Sequence, residues 1–132
     1  MQVEERIARN ESLSRELLAA MRCEKDPGVF QGLLGDYIRL RFLIEDDSFW
    51  SDSIIELAKH SIRKILEETG DPARLGDLGI NCAGASSATT KHLLLVISLR
   101  KGLDIELDPD EVAQADTVSR LAKLLMEALL KR

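Results

Sequence analysis

The sequence predicts an all-helical protein, and three observations lead there. Leu, Ile, Ala and Val are plentiful while Trp, Tyr and Phe together number five, a mix that favours helix packing over a β-sandwich. Apolar residues recur three and four apart in most segments. Capping signals (Asp-Pro, Ser-x-x-Glu and Thr-Val) open successive segments where helices would begin.

Residues 2–22 read as a first helix, with Val3, Ile7, Leu17, Leu18 and Met21 on one side. Asn10 and Ser14 interrupt that stripe, so the helix is expected to be partly exposed or broken near Asn10. Asp26-Pro27-Gly28 resets the chain, with Asp26 as N-cap and Pro27 in the first helical position. Phe30, Leu33, Leu34, Tyr37, Ile38 and Phe42 then follow at helical spacing to about Ile44. Residues 1–46 therefore form a helical hairpin. Phe49 and Trp50 lie in the polar connection that follows, where an aromatic pair anchors a loop to a core or to a neighbour.

Ser53-Ile54-Ile55-Glu56 is a capping-box pattern. The helix it opens carries Ile54, Ala58, Ile62, Ile65 and Leu66 on one face and stops at Gly70. A loop over 71–87 contains Pro72, Gly76, Gly79 and Gly84, and loops of that length inside a compact domain are usually functional. Ser86 or Ser87 caps the next helix, which is expected to stop at Gly102, followed by an extended link over 103–107. Asp108-Pro109 opens a short helix, and Thr117 caps the last one, which turns Val118, Leu121, Ala122, Leu125, Ala128 and Leu129 inward.

The bulk properties exclude several function classes. A net charge of −5 argues against a protein that tracks nucleic-acid phosphates. The longest apolar run, Leu93–Ile97, is far too short to span a bilayer. Met1–Arg6 lacks the basic start and apolar core of a secretion signal, and Cys23 and Cys82 read as free thiols, so the expected location is the cytoplasm. His60 and His92 have no sequence partners for a metal. Nothing near Cys82 supplies a base for a nucleophile, and no phosphate loop or paired-carboxylate motif is present, which points away from an enzyme.

From residue 47 to 132 the order of elements (long helix, long loop, apolar helix, short helix, final helix) resembles the four-helix acyl and peptidyl carrier proteins. The stretch Leu99-Arg100-Lys101-Gly102-Leu103-Asp104-Ile105-Glu106-Leu107-Asp108-Pro109-Asp110 is similar to the family pattern. So are Ala115-Asp116-Thr117-Val118 with Leu121-Ala122, and Leu78-Gly79 ahead of the attachment motif. The resemblance implies a carrier-protein-like four-helix bundle with residues 1–46 as an N-terminal hairpin extension. It also implies a 4'-phosphopantetheine arm on a serine at the mouth of the second helix, where N–H groups favour a phosphate. A phosphopantetheinyl transferase would install the arm. Acyl-transferring or condensing enzymes would use it, as in fatty acid or polyketide biosynthesis.

The attachment motif departs from the family. There is no Asp-Ser-Leu; Gly84-Ala85-Ser86-Ser87 is similar to Gly-x-Asp-Ser, which makes Ser87 the expected attachment residue and Ser86 the runner-up. The family's usual spacing back from Leu103 lands on Thr89 instead, and aligning from Leu78-Gly79 lands on Asn81-Cys82, so the loop carries an insertion. The helix after it is basic, with Lys91, His92, Arg100 and Lys101 and no carboxylate between Ala88 and Gly102. The family's helix here is acidic, so a partner of this chain should present an acidic or mainly apolar surface. Lys91, His92, Leu95 and Arg100 are the residues expected to meet it. The hairpin is available to cover the carrier, to recruit an enzyme or to form a homodimer. A second reading keeps the fold but not the arm, as an adaptor that binds through apolar helix surfaces. A third is a bundle unrelated to carriers.

Overall fold

The computed structural model describes residues 3–45, 48–69 and 87–131. Among them the chain is an all-α bundle of six helices without strands. These are α1 (Val3–Cys23), α2 (Pro27–Arg41), α3 (Ile54–Thr69), α4 (Ser87–Leu103), α5 (Pro109–Gln114) and α6 (Val118–Leu130). Helix α1 packs on α2, α2 on α6, α3 on α4, and α1 also reaches α4.

The core draws on both expected segments. Met21 of α1 and Phe30, Leu34, Tyr37 and Ile38 of α2 join Ile54, Leu57 and Ala58 of α3. Leu95, Leu99 and Leu103 of α4 and Val118, Leu121 and Leu125 of α6 complete the same cluster. Each buried Val, Leu, Ile, Phe or Met among them stabilises the fold by about 1.5–3 kcal/mol relative to exposure, so the hairpin is part of the interior that holds α4 and α6. The boundary expected at 46/47 falls on residues outside the described ones, as do most of the expected loop and Cys82.

Of the two expected outcomes for α1, partial exposure or a break near Asn10, the structure shows the first: the helix is continuous and many of its residues are exposed. Asn10 and Ser14 are 3% exposed and belong to its inward face. The Ser14 hydroxyl donates to the Asn10 carbonyl (2.6 Å), and Asn10 Nδ2 donates to the Leu40 carbonyl (3.1 Å), which is how the helix tolerates polar residues inside. Asp26 caps α2 as expected, accepting from Gly28 and Val29 N–H. The capping box at α3 forms by half. Ser53 Oγ accepts from Glu56 N–H (3.3 Å), while Ser53 N–H is satisfied by Ser51 Oγ (3.1 Å). The Glu56 carboxylate lies 3.6 Å from Lys59.

Helices α3 and α6 start side by side. An antiparallel bridge joins Ser53 to Thr117, with Ile54 N–H donating to Asp116 (3.0 Å) and Val118 N–H to Asp52 (2.7 Å). Asp52 also accepts from the backbone and hydroxyl of Ser119 (3.1 and 2.7 Å), adding a cap to α6 beside that of Thr117.

Two helices end in the same way. After α2, Ile44 N–H donates to Arg39 and Leu43 N–H to Leu40; after α4, Ile105 N–H donates to Arg100 and Asp104 N–H to Lys101. Both are Schellman corners, and both place a non-glycine residue in the left-handed region, Leu43 at φ 58° and Asp104 at φ 54°. Helix α4 thus runs through Gly102 rather than stopping there. At 102 the absence of a side chain lets Leu18 of α1 approach closely, its Cδ1 2.5 Å from where a Cβ would be.

The aromatic pair after α2 is anchored as expected. Trp50 lies against Gly35, 3.2 Å from a would-be Cβ, with the Arg39 guanidinium 4.7 Å from its ring centroid. Phe49 stacks on His60 of α3 at 4.3 Å.

Candidate functional site on helix α4

Ser87 is the first residue of α4, and Ser86 lies outside the described residues. The rest of the helix sorts by register. Lys91, Leu95, Leu99 and Leu103 follow one another at four-residue spacing, and all four are buried. Arg100 is nine residues from Lys91, half a turn round the helix, and is exposed. His92 is half-buried. The four residues expected to meet a partner therefore do not share a face. Lys91 and Leu95 face the core, and the exposed side of α4 carries Leu93 (56% exposed), Leu94 (39%), Arg100 and Lys101.

Lys91 is 6% exposed. Its Nζ stands 4.9 Å from the Phe42 ring centroid, a cation–π contact with the residue that caps α2. Among the described residues no carboxylate pairs with it. Burial, helped by the nearby Arg41 charge, brings its pKa down from 10.5 to about 8. Its neighbour His92 is also held below the usual histidine value, chiefly by burial, against the opposing pull of an Ala115 backbone hydrogen bond and Asp116.

Lys91 lines a cavity of about 140 Å³ between α1, the end of α2 and α4. Ile7, Leu40 and Leu43 form apolar walls, and Asn10 and Arg41 also line it. Sequence reading missed Asn10, Arg41 and Leu43 as a group, because they come together only through the packing of three helices. The spacing 91/95/99/103 was the available signal that Lys91 points inward. Farther along α4, Ser98 Oγ accepts from the Tyr37 hydroxyl (2.8 Å) and donates to the Leu95 carbonyl (2.8 Å), and burial raises the Tyr37 pKa.

Among the described residues no three His, Cys, Asp or Glu side chains gather as a metal site, and no helix is long and apolar enough to cross a membrane. Comparison with protein-family models, with curated proteins and with solved structures finds no match.

Proposed function

We propose that the chain is a divergent acyl or aminoacyl carrier that presents Ser87 for a 4'-phosphopantetheine arm. The observation that supports this is the order of elements. After α3, a helix opens with Ser87 and is followed by the short α5 and a Thr117-capped α6, as the carrier resemblance requires. In this reading the exposed side of α4, with Leu93, Leu94, Arg100 and Lys101, meets a partner enzyme whose surface is apolar or acidic. The chain itself performs no catalysis; the arm carries the thioester and the partners do the chemistry.

Co-expression with a broad-specificity phosphopantetheinyl transferase, followed by intact mass, tests the reading. The expected result is a mass gain of one phosphopantetheine that Ser87→Ala abolishes. A gain that shifts to Ser86→Ala sensitivity moves the attachment by one residue, and no gain on the wild type overturns the assignment.

The adjacent exposed leucines favour a second reading, an adaptor with the carrier's order of helices and no arm. It predicts a stoichiometric partner that is released by Leu93→Glu, from a chain of unmodified mass.

A further inference from the structure

The cavity beside Lys91 joins three features that a purely structural interior would avoid. Lys91 brings a largely buried ammonium to a half-open cavity, and no carboxylate among the described residues pairs with it. Asn10 is equally buried. Its Nδ2 donates to the Leu40 carbonyl, which fixes the orientation of the amide, and its Oδ1 has no hydrogen-bond partner among the described residues. Oδ1 and the Lys91 ammonium, both on the cavity lining, are not hydrogen-bonded to each other. The third feature is Leu43, a bulky residue held at φ 58° on the cavity wall, a conformation that glycine adopts freely and leucine rarely does.

The cavity lining carries two cations, Lys91 and Arg41, and one carboxylate, Glu11. Arg41 lies close enough to depress the Lys91 pKa, and Glu11, also on the lining, has its carboxylate 3.9 Å from Arg15. A ligand must therefore bring a negative group for Lys91, a neutral hydrogen-bond donor for Asn10 Oδ1, and a short apolar body for Ile7, Leu40 and Leu43. Water could satisfy Oδ1 but leaves the ammonium unneutralised. An α-amino acid would set its own ammonium against Lys91 and Arg41. Phosphate has no apolar part to fill the aliphatic walls. The volume, about 140 Å³, is close to that of a cavity of about 150 Å³ that accepts a benzene-sized guest.

We propose that this cavity binds a short-chain hydroxycarboxylic acid, its carboxylate on Lys91, its hydroxyl donating to Asn10 Oδ1 and its alkyl chain against Ile7, Leu40 and Leu43. The site is independent of Ser87 and of any arm it carries. The ligand supplies the missing anion to a buried cation and the missing donor to a buried acceptor, which is what makes binding favourable in so small a site.

Titration of the isotope-labelled full chain with 2-hydroxybutanoate, followed by amide chemical shifts, tests the proposal. Saturable shifts are expected at Asn10, Leu43 and Lys91. Butanoate, which lacks the hydroxyl, should bind roughly 2- to 10-fold more weakly, and 2-hydroxybutanamide, which lacks the charge, about 10-fold or more weakly. Lys91→Met should abolish saturable binding, and Asn10→Leu should make 2-hydroxybutanoate and butanoate bind alike. The comparison of the three ligands on the wild-type chain stands even where a variant folds poorly. No saturable shift at those amides, equal binding of all three ligands, or undiminished binding by Lys91→Met overturns the proposal and leaves the cavity as a water-filled gap.

Discussion

The inward face of α4 holds two regions of opposite character. Around Leu95, Leu99 and Leu103 the interior is apolar, and the Tyr37 hydroxyl that enters it is bonded to Ser98. One turn earlier, around Lys91, the interior holds an ammonium and an amide oxygen that find no carboxylate and no donor among the described residues, and a leucine in left-handed backbone. The same helix therefore serves cohesion at one end and tolerates unfavourable burial at the other. The two Schellman corners repeat the lesson. Asp104 takes the left-handed position in solvent, where short polar side chains do so readily, whereas Leu43 takes it inside the core beside Lys91.

Substitutions can sharpen or break this contrast. Leu99→Ala, at the cohesive end, should destabilise the fold by about 2–5 kcal/mol in denaturant unfolding, since it removes a fully buried side chain and leaves a void. Lys91→Met, two turns away on the same stripe, should do the reverse and stabilise by about 1–3 kcal/mol at neutral pH. The variant keeps the volume and the contact with Phe42 while removing a buried charge. Equal losses at both positions would erase the distinction. Asp52→Ala should cost about 1 kcal/mol, because α6 loses the cap that reaches it from the start of α3; a value near zero would mean that Thr117 suffices alone. Asp104→Gly should gain up to about 1 kcal/mol by relieving the left-handed position, measured as a small rise in Tm.

Helix positions and caps were largely legible in the sequence, because Asp26-Pro27, Asp108-Pro109 and Thr117 announce themselves by local chemistry. What escaped reading depended on packing. Asn10 and Ser14 look like breaks in an apolar stripe until α2 supplies the Leu40 carbonyl that lets Asn10 turn inward. Gly102 looks like a helix stop, yet its role is to admit Leu18, and the corner falls two residues later at Asp104. Charge alone groups Lys91 with Arg100, whereas the register of α4 separates them by half a turn. The hairpin's packing on the rest of the chain was legible only as one option among three, since nothing local in 1–46 says that α2 will lie against α6. For the attachment residue, the resemblance and the start of α4 at Ser87 are the support available, and Ser86 and the loop before it lie outside the described residues.

The retained strain at the Lys91 end is tested most directly by the pH dependence of its stability. In the folded chain Lys91 loses its proton at about 8, and in the unfolded chain at 10.5. Below both values each state holds the proton and the folded state bears the whole penalty of a buried charge. As pH rises between them, the unfolded state binds more protons and folding gains stability from this group, by on the order of 3 kcal/mol at most. Tyr37, with its raised pKa, acts in the opposite sense only above its ordinary value of 10. Urea unfolding of the wild type and Lys91→Met at neutral pH and at about pH 9.5 should show the variant more stable at the lower pH and the gap narrowing at the higher. A variant that is less stable at neutral pH, or a gap that does not change with pH, would contradict the account.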